Sequence, residues 1–284
     1  IETCANYSTI AGGSGNCIDT CNCFGFIGAG SSNHICSQAV VNCTNNDSSI
    51  VGGYQNRIDT KAHCSFIGGG LNNLICQNHA QGVIVGGSAN MVDGNTGFVG
   101  GGREKDATGN CSVAVGGYLN TATANYAAVV GGYDNDATGG NSFVGGGQRS
   151  CATACQAAVA GGCLNIASGA CSFVGGGCGN KANATLTGIL GGQGNCSGGC
   201  GCSFIVGTGI CAQGTCTTFG NNLAFYAHDN QTSKLGTSNT AGERIYVGST
   251  SVTGGCVYYL AEPSEGTSSW ALADADAVGS SVHM

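Results

Sequence analysis

Proline is almost absent from this chain, with one residue in 284. Charge is scarce too: 8% of residues are charged, and eight Lys and Arg stand against fifteen Asp and Glu, a formal net charge of −7. Each shortage excludes something. Without proline, and with glycine not at every third position, a collagen helix is ruled out. Eight basic residues spread from Arg57 to Arg244 make no patch, so nucleic acid is not an expected partner. No run approaches 18 apolar residues, so no transmembrane helix and no membrane insertion are expected. No signal peptide is visible, and a chain opening at Ile1 rather than Met is expected to be a processed form or a fragment.

What is abundant is glycine, at 54 residues, and cysteine, at 20. Glycine-rich chains are often disordered, but here 42% of residues are hydrophobic and they recur at fixed intervals. The stretch from Asn141 to Gly192 repeats one phrase three times: a small residue, two or three apolar residues, two or three glycines, a polar spacer with Asn, and a turn. The first glycine of each block falls at Gly12, Gly28, Gly52, Gly68, Gly86, Gly100, Gly116, Gly131, Gly145, Gly161, Gly175, Gly191 and Gly207, mostly 14–16 residues apart. Steps of 24 (Gly28 to Gly52) and 18 (Gly68 to Gly86) read as loop insertions. Aromatic blocks with three glycines, such as Phe143 to Gly147, are separated by aliphatic blocks with two, such as Val129 to Gly132.

An apolar run of three to five residues bounded by Gly and Asn is too short for a helix and reads as a strand, with a second short strand in segments such as 120–124. The expected fold is all-β: a parallel β-solenoid or β-roll shaft over 1–218, with about 13 coils of 14–16 residues. In Phe143-Val144 successive side chains point to opposite faces, yet both are apolar, so both faces call for burial. One face fills the coil and the other needs a partner, for which self-association in a closed homo-oligomer is the simplest answer. From about Phe219 the glycine pairs stop, and 219–284 reads as a small antiparallel β domain.

Residues 107–140, ATGNCSVAVGGYLNTATANYAAVVGGYDNDATGG, resemble the head repeats of YadA-type trimeric adhesins and the Gly-Gly-Asn repeats of bacteriophage and other viral fibres. The C-terminal run with Trp270-Ala271-Leu272-Ala273-Asp274 is similar to end modules of phage tail fibres. The resemblance implies three chains side by side in a fibre. The third glycine and the many cysteines depart from that pattern.

Stacked coils place cysteines in register at about 4.8 Å, close to the Cα spacing of a disulfide. Cys163 with Cys178 and Cys196 with Cys211 are the disulfide candidates. Buried free thiols are the other reading. The C-x-C pairs Cys21/Cys23 and Cys200/Cys202 lack a second pair at finger spacing, and no His sits at ligand spacing along the chain, so no metal and no cofactor are expected. His34, His63, His79, His228 and His283 are scattered, and no nucleotide fingerprint or catalytic constellation stands out, so no enzyme activity is expected. Asp134/Asp136 and Asp274/Asp276 are carboxylates two apart, which would share one face of a strand. Tyr258, Tyr259 and Trp270 could stack on sugar rings at a fibre tip, or form the core of the small domain.

The functional expectation is a structural fibre or spike protein of a virion, a bacteriophage tail fibre, that attaches to a host surface. Its partners would be itself as a homotrimer, a host glycan or protein receptor, and other virion proteins, and its location the virion and the extracellular space. The alternatives are a YadA-type bacterial surface adhesin and a fibre-borne polysaccharide depolymerase. Ice binding would need a regular Thr-x-Thr ladder, which Thr121, Thr123 and Thr138 do not suggest.

Overall fold

The computed structural model describes residues 1, 5–20, 22–36 and 47–220, and the backbones of Arg244–Ile245, Cys256–Leu260, Trp270–Asp274 and Ser281–His283. The described residues contain no helix, and therefore none long and apolar enough to cross a membrane. The described residues between 5 and 220 form a parallel β-solenoid of about 13 turns. At about 4.8 Å per turn its length is roughly 60 Å.

Each coil makes three parallel contacts with its neighbours. One two-residue strand, such as Phe143–Val144, joins a 14-stranded sheet, here sheet one. A second, such as Cys151–Ala152, joins an 11-stranded sheet, sheet two. Between them a single residue forms an isolated bridge, in a line from Ser14 through Tyr118, Tyr133 and Gln148 to Gln193. In both sheets the second strand residue points inward. Val129, Val144 and Val159 of sheet one and Ala137, Ala152 and Ala167 of sheet two are all fully buried. A separate four-stranded antiparallel sheet pairs the C-terminal strands.

The interior resolves the irregular period. Ile50, Ile67 and Ile84 succeed one another at 17 residues, whereas Ile84, Val99, Ala114, Val129, Val144, Val159, Val174 and Ile189 do so at 15. The longer coils carry a wider turn after sheet two, with Lys61 (φ 60°) and Asn78 (φ 66°) in the left-handed region. They also carry larger interior residues: isoleucine at 18, 27, 35, 50, 58, 67, 75 and 84, against alanine and valine from 92 to 182, before isoleucine returns at 189 and 205. A wider coil encloses more volume, and the interior side chains grow to fill it. The step of 18 between Gly68 and Gly86 is therefore one of a set of longer coils rather than a single insertion. The longer step from Gly28 to Gly52 falls on 37–46, outside the described residues.

Glycine has two separate jobs. Gly162, second of its pair, has φ 91°, and a Cβ there would lie 2.2 Å from the Gly177 carbonyl oxygen of the next coil. Gly161 before it has nothing within 4 Å. The first job is thus a backbone conformation and a close approach that side chains forbid. The second, on sheet one, concerns the outer surface and is taken up below.

Asparagine ties the glycine turns together. Asn135 is fully buried; its Nδ2 donates to Gly131 O in its own coil (3.0 Å) and Gly147 O in the next (2.9 Å). Its Oδ1 accepts from the backbone N–H of Ser150 (2.9 Å), and its own N–H donates to Asn120 Oδ1 (3.0 Å). Asn16, Asn33, Asn56, Asn73, Asn90, Asn120, Asn165, Asn180 and Asn195 occupy the same place in their coils. This ladder satisfies buried backbone groups that a side chain without an amide would leave unpaired. It is interrupted at Lys105 and at Ser150, whose Oγ is buried without a partner.

Candidate functional site

The outer face of sheet one is a largely apolar strip. Its first outward column holds Phe26, Phe66, Phe98, Phe143, Phe173 and Phe204, interspersed with Ser49, Val83, Val113, Ala128, Ala158 and Gly188. Each of the first five phenylalanines is followed two residues later by glycine, and the aliphatic coils carry Val51, Val85, Val115, Val130 or Leu190 at that place. The reason is steric. A Cβ on Gly145 would meet the Ala160 carbonyl oxygen of the next coil at 2.4 Å and the Phe143 ring of its own strand at 3.3 Å, and one on Gly68 would meet the Val85 carbonyl oxygen at 2.3 Å and the Phe66 ring at 3.3 Å. The rings therefore lie flat on the sheet, level with the aliphatic side chains. Phe143 is 40% exposed and Val85 50%. Such a strip running the length of a solenoid is well beyond the scattered surface hydrophobics of a monomer.

Sheet two has a polar, thiol-bearing outer face. Thr108, Thr123, Thr138 and Thr153, then Ser168, occupy one position in five consecutive coils, each donating its backbone N–H to an alanine carbonyl of the next coil. The threonine column is thus longer than Thr121, Thr123 and Thr138 suggested. Its neighbouring column is mixed (Asp106, Thr121, Asp136, Cys151, Ile166), so on this sheet the Thr-x-Thr pair occurs once, at Thr121/Thr123. Burial pushes the carboxyls of Asp106 and Asp136 up, and Asp134 adds to the effect at Asp136.

The paired carboxylates Asp134 and Asp136 do not share a strand. Asp134 sits in the turn with φ 56° and pairs with Arg149 at 3.3 Å, while Asp136 lies in the strand of sheet two. The bend between them removes the common face that a two-carboxylate site requires. Asp274 ends the strand Trp270–Asp274, and Asp276 lies outside the described residues.

The thiols fall in register. Cys163 faces Cys178, and Cys196 faces Cys211, as bridge partners in adjacent coils. All four are free thiols in this structure, each beside its partner in the neighbouring coil. Desolvation first, then the neighbouring thiol, pushes up Cys163 and Cys211. A third pair, Cys202 with Cys216, escaped sequence reasoning. Their hydrogen bond raises Cys202, and they occupy equivalent corner positions, φ 55° and 53°, in successive coils. The signal was available: each lies two residues before an outward residue of sheet one, Phe204 and Thr218.

At the N-terminal end of sheet two, Cys17 and Asp19 from one coil meet His34 and Cys36 from the next. His34 Nε2 lies 2.6 Å from Asp19 Oδ1, Cys17 Sγ 3.5 Å from the same oxygen, and Cys36 Sγ 3.4 Å from His34 Nδ1. Burial pushes the Cys36 thiol up to about 12 against the lowering effect of Arg57. A related trio follows, in which Asp93 pairs with His79 at 3.3 Å and raises the thiol of Cys76, itself pushed up to about 12 mainly by burial.

Of the aromatic residues considered for receptor contact, Trp270 is register-paired with Leu260, Tyr258 with Leu272 and Tyr259 with Ala271. Their side chains lie outside the described residues. No protein-family model and no curated protein matches this chain.

Proposed function

We propose that this chain is a structural fibre protein whose solenoid is the shaft and which associates with copies of itself through the outer face of sheet one, in a virion attachment fibre of the tail-fibre type. The observation that carries the reading is the flat strip in which six phenylalanines are interspersed with mainly aliphatic residues along the described length of the sheet. A purely globular role gives no reason to follow five of the six phenylalanines with glycine and keep the strip level. Burying a phenylalanine or valine side chain is worth roughly 1.5–3 kcal/mol, so a dozen such positions supply ample drive for association. Low charge and near absence of basic residues suit a mechanical element better than one that steers charged substrates. Three copies around one axis would cover the strip on each. The register-paired thiols, if oxidised, would staple neighbouring coils, and the C-terminal segment would carry the host contact.

Two measurements test this. Light scattering on the purified chain should give the mass of three copies, and Phe143→Asp with Val130→Asp should lower it to that of one while retaining β-sheet circular dichroism. A monomeric parent chain removes the association. Antibody labelling of purified virus particles from the source, compared with bacterial surfaces, then decides the setting. Label confined to cells would replace the virion by an adhesin.

A further inference from the structure

We propose that Cys17, Asp19 and His34 form a binding site for a divalent metal ion of the zinc class on the outer face of sheet two. Sequence spacing conceals it, because Cys17-Ile18-Asp19 and His34-Ile35-Cys36 are separated by most of a coil. The solenoid stacks them. Cys17 is the register partner of His34, and Ile18 of Ile35. Both isoleucines are fully buried, so alternation forces the residues on either side of each to project outward on one face.

The donor atoms, Cys17 Sγ, an Asp19 carboxylate oxygen and a His34 ring nitrogen, all lie within 4.8 Å of one another. A tetrahedral zinc with ligands at about 2.0–2.3 Å separates its donors by roughly 3.5 Å. The Cys17–Asp19 distance of 3.5 Å already fits, and the His34–Asp19 contact of 2.6 Å has to open by about 1 Å. Mixed sulfur, nitrogen and oxygen donors suit zinc or cobalt rather than calcium or magnesium, which prefer oxygen alone. Three protein ligands on a half-exposed face leave the fourth position to water.

A second observation sets this group apart from an ordinary His–Asp contact. His34 Nδ1 faces Cys36 Sγ at 3.4 Å. Without metal, Nε2–H donates to Asp19; with Nε2 on a metal the ring proton would sit on Nδ1, where Cys36 Sγ is placed to accept it, the outer support that metal-binding histidines need. Cys36 is thus a positioning residue, not a ligand. The next cation along, Arg57, is engaged with the Asp59 carboxylate and also lies against the Cys36 sulfur. On binding, the Cys17 thiol releases its proton to solvent and its sulfur takes the metal; nothing is oxidised or reduced. The ion would link two adjacent coils.

The test is a cobalt(II) titration of the reduced full-length chain under anaerobic conditions. The wild type should bind one equivalent more than either His34→Ala or Cys17→Ser, and that equivalent should carry tetrahedral d–d bands with a thiolate charge-transfer band that added zinc abolishes. Counting the difference removes any cobalt held by the cysteine pairs further along. Cys36→Ala should keep the equivalent at about 10–100-fold lower affinity. Circular dichroism monitors the fold of each variant. Asp19→Asn, which preserves shape, gives a second reading and should also lose the equivalent. Equal stoichiometry and equal spectra for wild type, Cys17→Ser and Asp19→Asn overturn the proposal.

Discussion

Gly161 and Gly162 are neighbours of the same type with unlike roles. At Gly162 a methyl group would meet the Gly177 carbonyl at 2.2 Å on a backbone held at φ 91°; at Gly161 it would meet nothing within 4 Å. Gly162→Ala is expected to destabilise the solenoid by more than about 2 kcal/mol, and Gly161→Ala to change it by less than about 1 kcal/mol or to stabilise it. Urea denaturation of the two variants compares them directly. Lys105 is the other informative residue. It takes an asparagine's place in the ladder, is fully buried, and its Nζ donates to Gly116 O. Burial pushes its pKa down from 10.5 to about 8. The folded chain then holds this proton more weakly than the unfolded chain, so the lysine's penalty is fully present below about 8 and fades as pH rises toward 10.5. Subtracting the stability of Lys105→Asn from that of the wild type at each pH isolates this group from the thiols. The difference should rise with pH through that window by roughly 2–3 kcal/mol.

At the scale of one coil, turn length and interior volume are matched. The 15-residue coils close around alanine on sheet two, as at Ala137, Ala152 and Ala167, opposite valine on sheet one. The 17-residue coils close around isoleucine on both. Ala152→Ile would force an isoleucine into the narrow form and is expected to cost about 1–3 kcal/mol. A larger interior residue is not unfavourable in itself; it needs the two extra turn residues that the coils at Lys61 and Asn78 have. A second variant that also lengthens its turn by two residues should recover part of the loss in thermal unfolding. Recovery would establish the coupling between turn and core, and further destabilisation would refute it.

Over the whole molecule each coil touches only its neighbours, so stability is a sum along the rod and can be weak in one place. Two features coincide near the middle. Lys105 interrupts the asparagine ladder, and three successive interior positions, Ala107, Ala114 and Ala122, are alanine with no valine or isoleucine between them. Residues 103–122 are therefore expected to exchange amide hydrogens faster than 58–84, whose interior is Ile58, Ile67, Ile75 and Ile84. Hydrogen-exchange mass spectrometry reads this, and uniform protection along the shaft would count against it. The outer strip of sheet one runs across the weak coils without a break, through Val113, Val115, Ala128 and Val130. Association through that strip should slow exchange there.

The repeat, the two strands in each coil and the inward and outward sense of pairs such as Phe143-Val144 were legible in the chain itself, because alternation and glycine spacing are local properties. So was the register of Cys163 with Cys178 and of Cys196 with Cys211, since a constant period converts sequence distance into height. Stacking decided the rest. Only the coil geometry separated Gly161 from Gly162, bent Asp134 away from Asp136, paired Cys202 with Cys216 and carried His34 over Cys17 and Asp19. Those relations depend on where one turn lies above another, and the 17-residue coils shift that alignment in a way that no count of residues between motifs reveals.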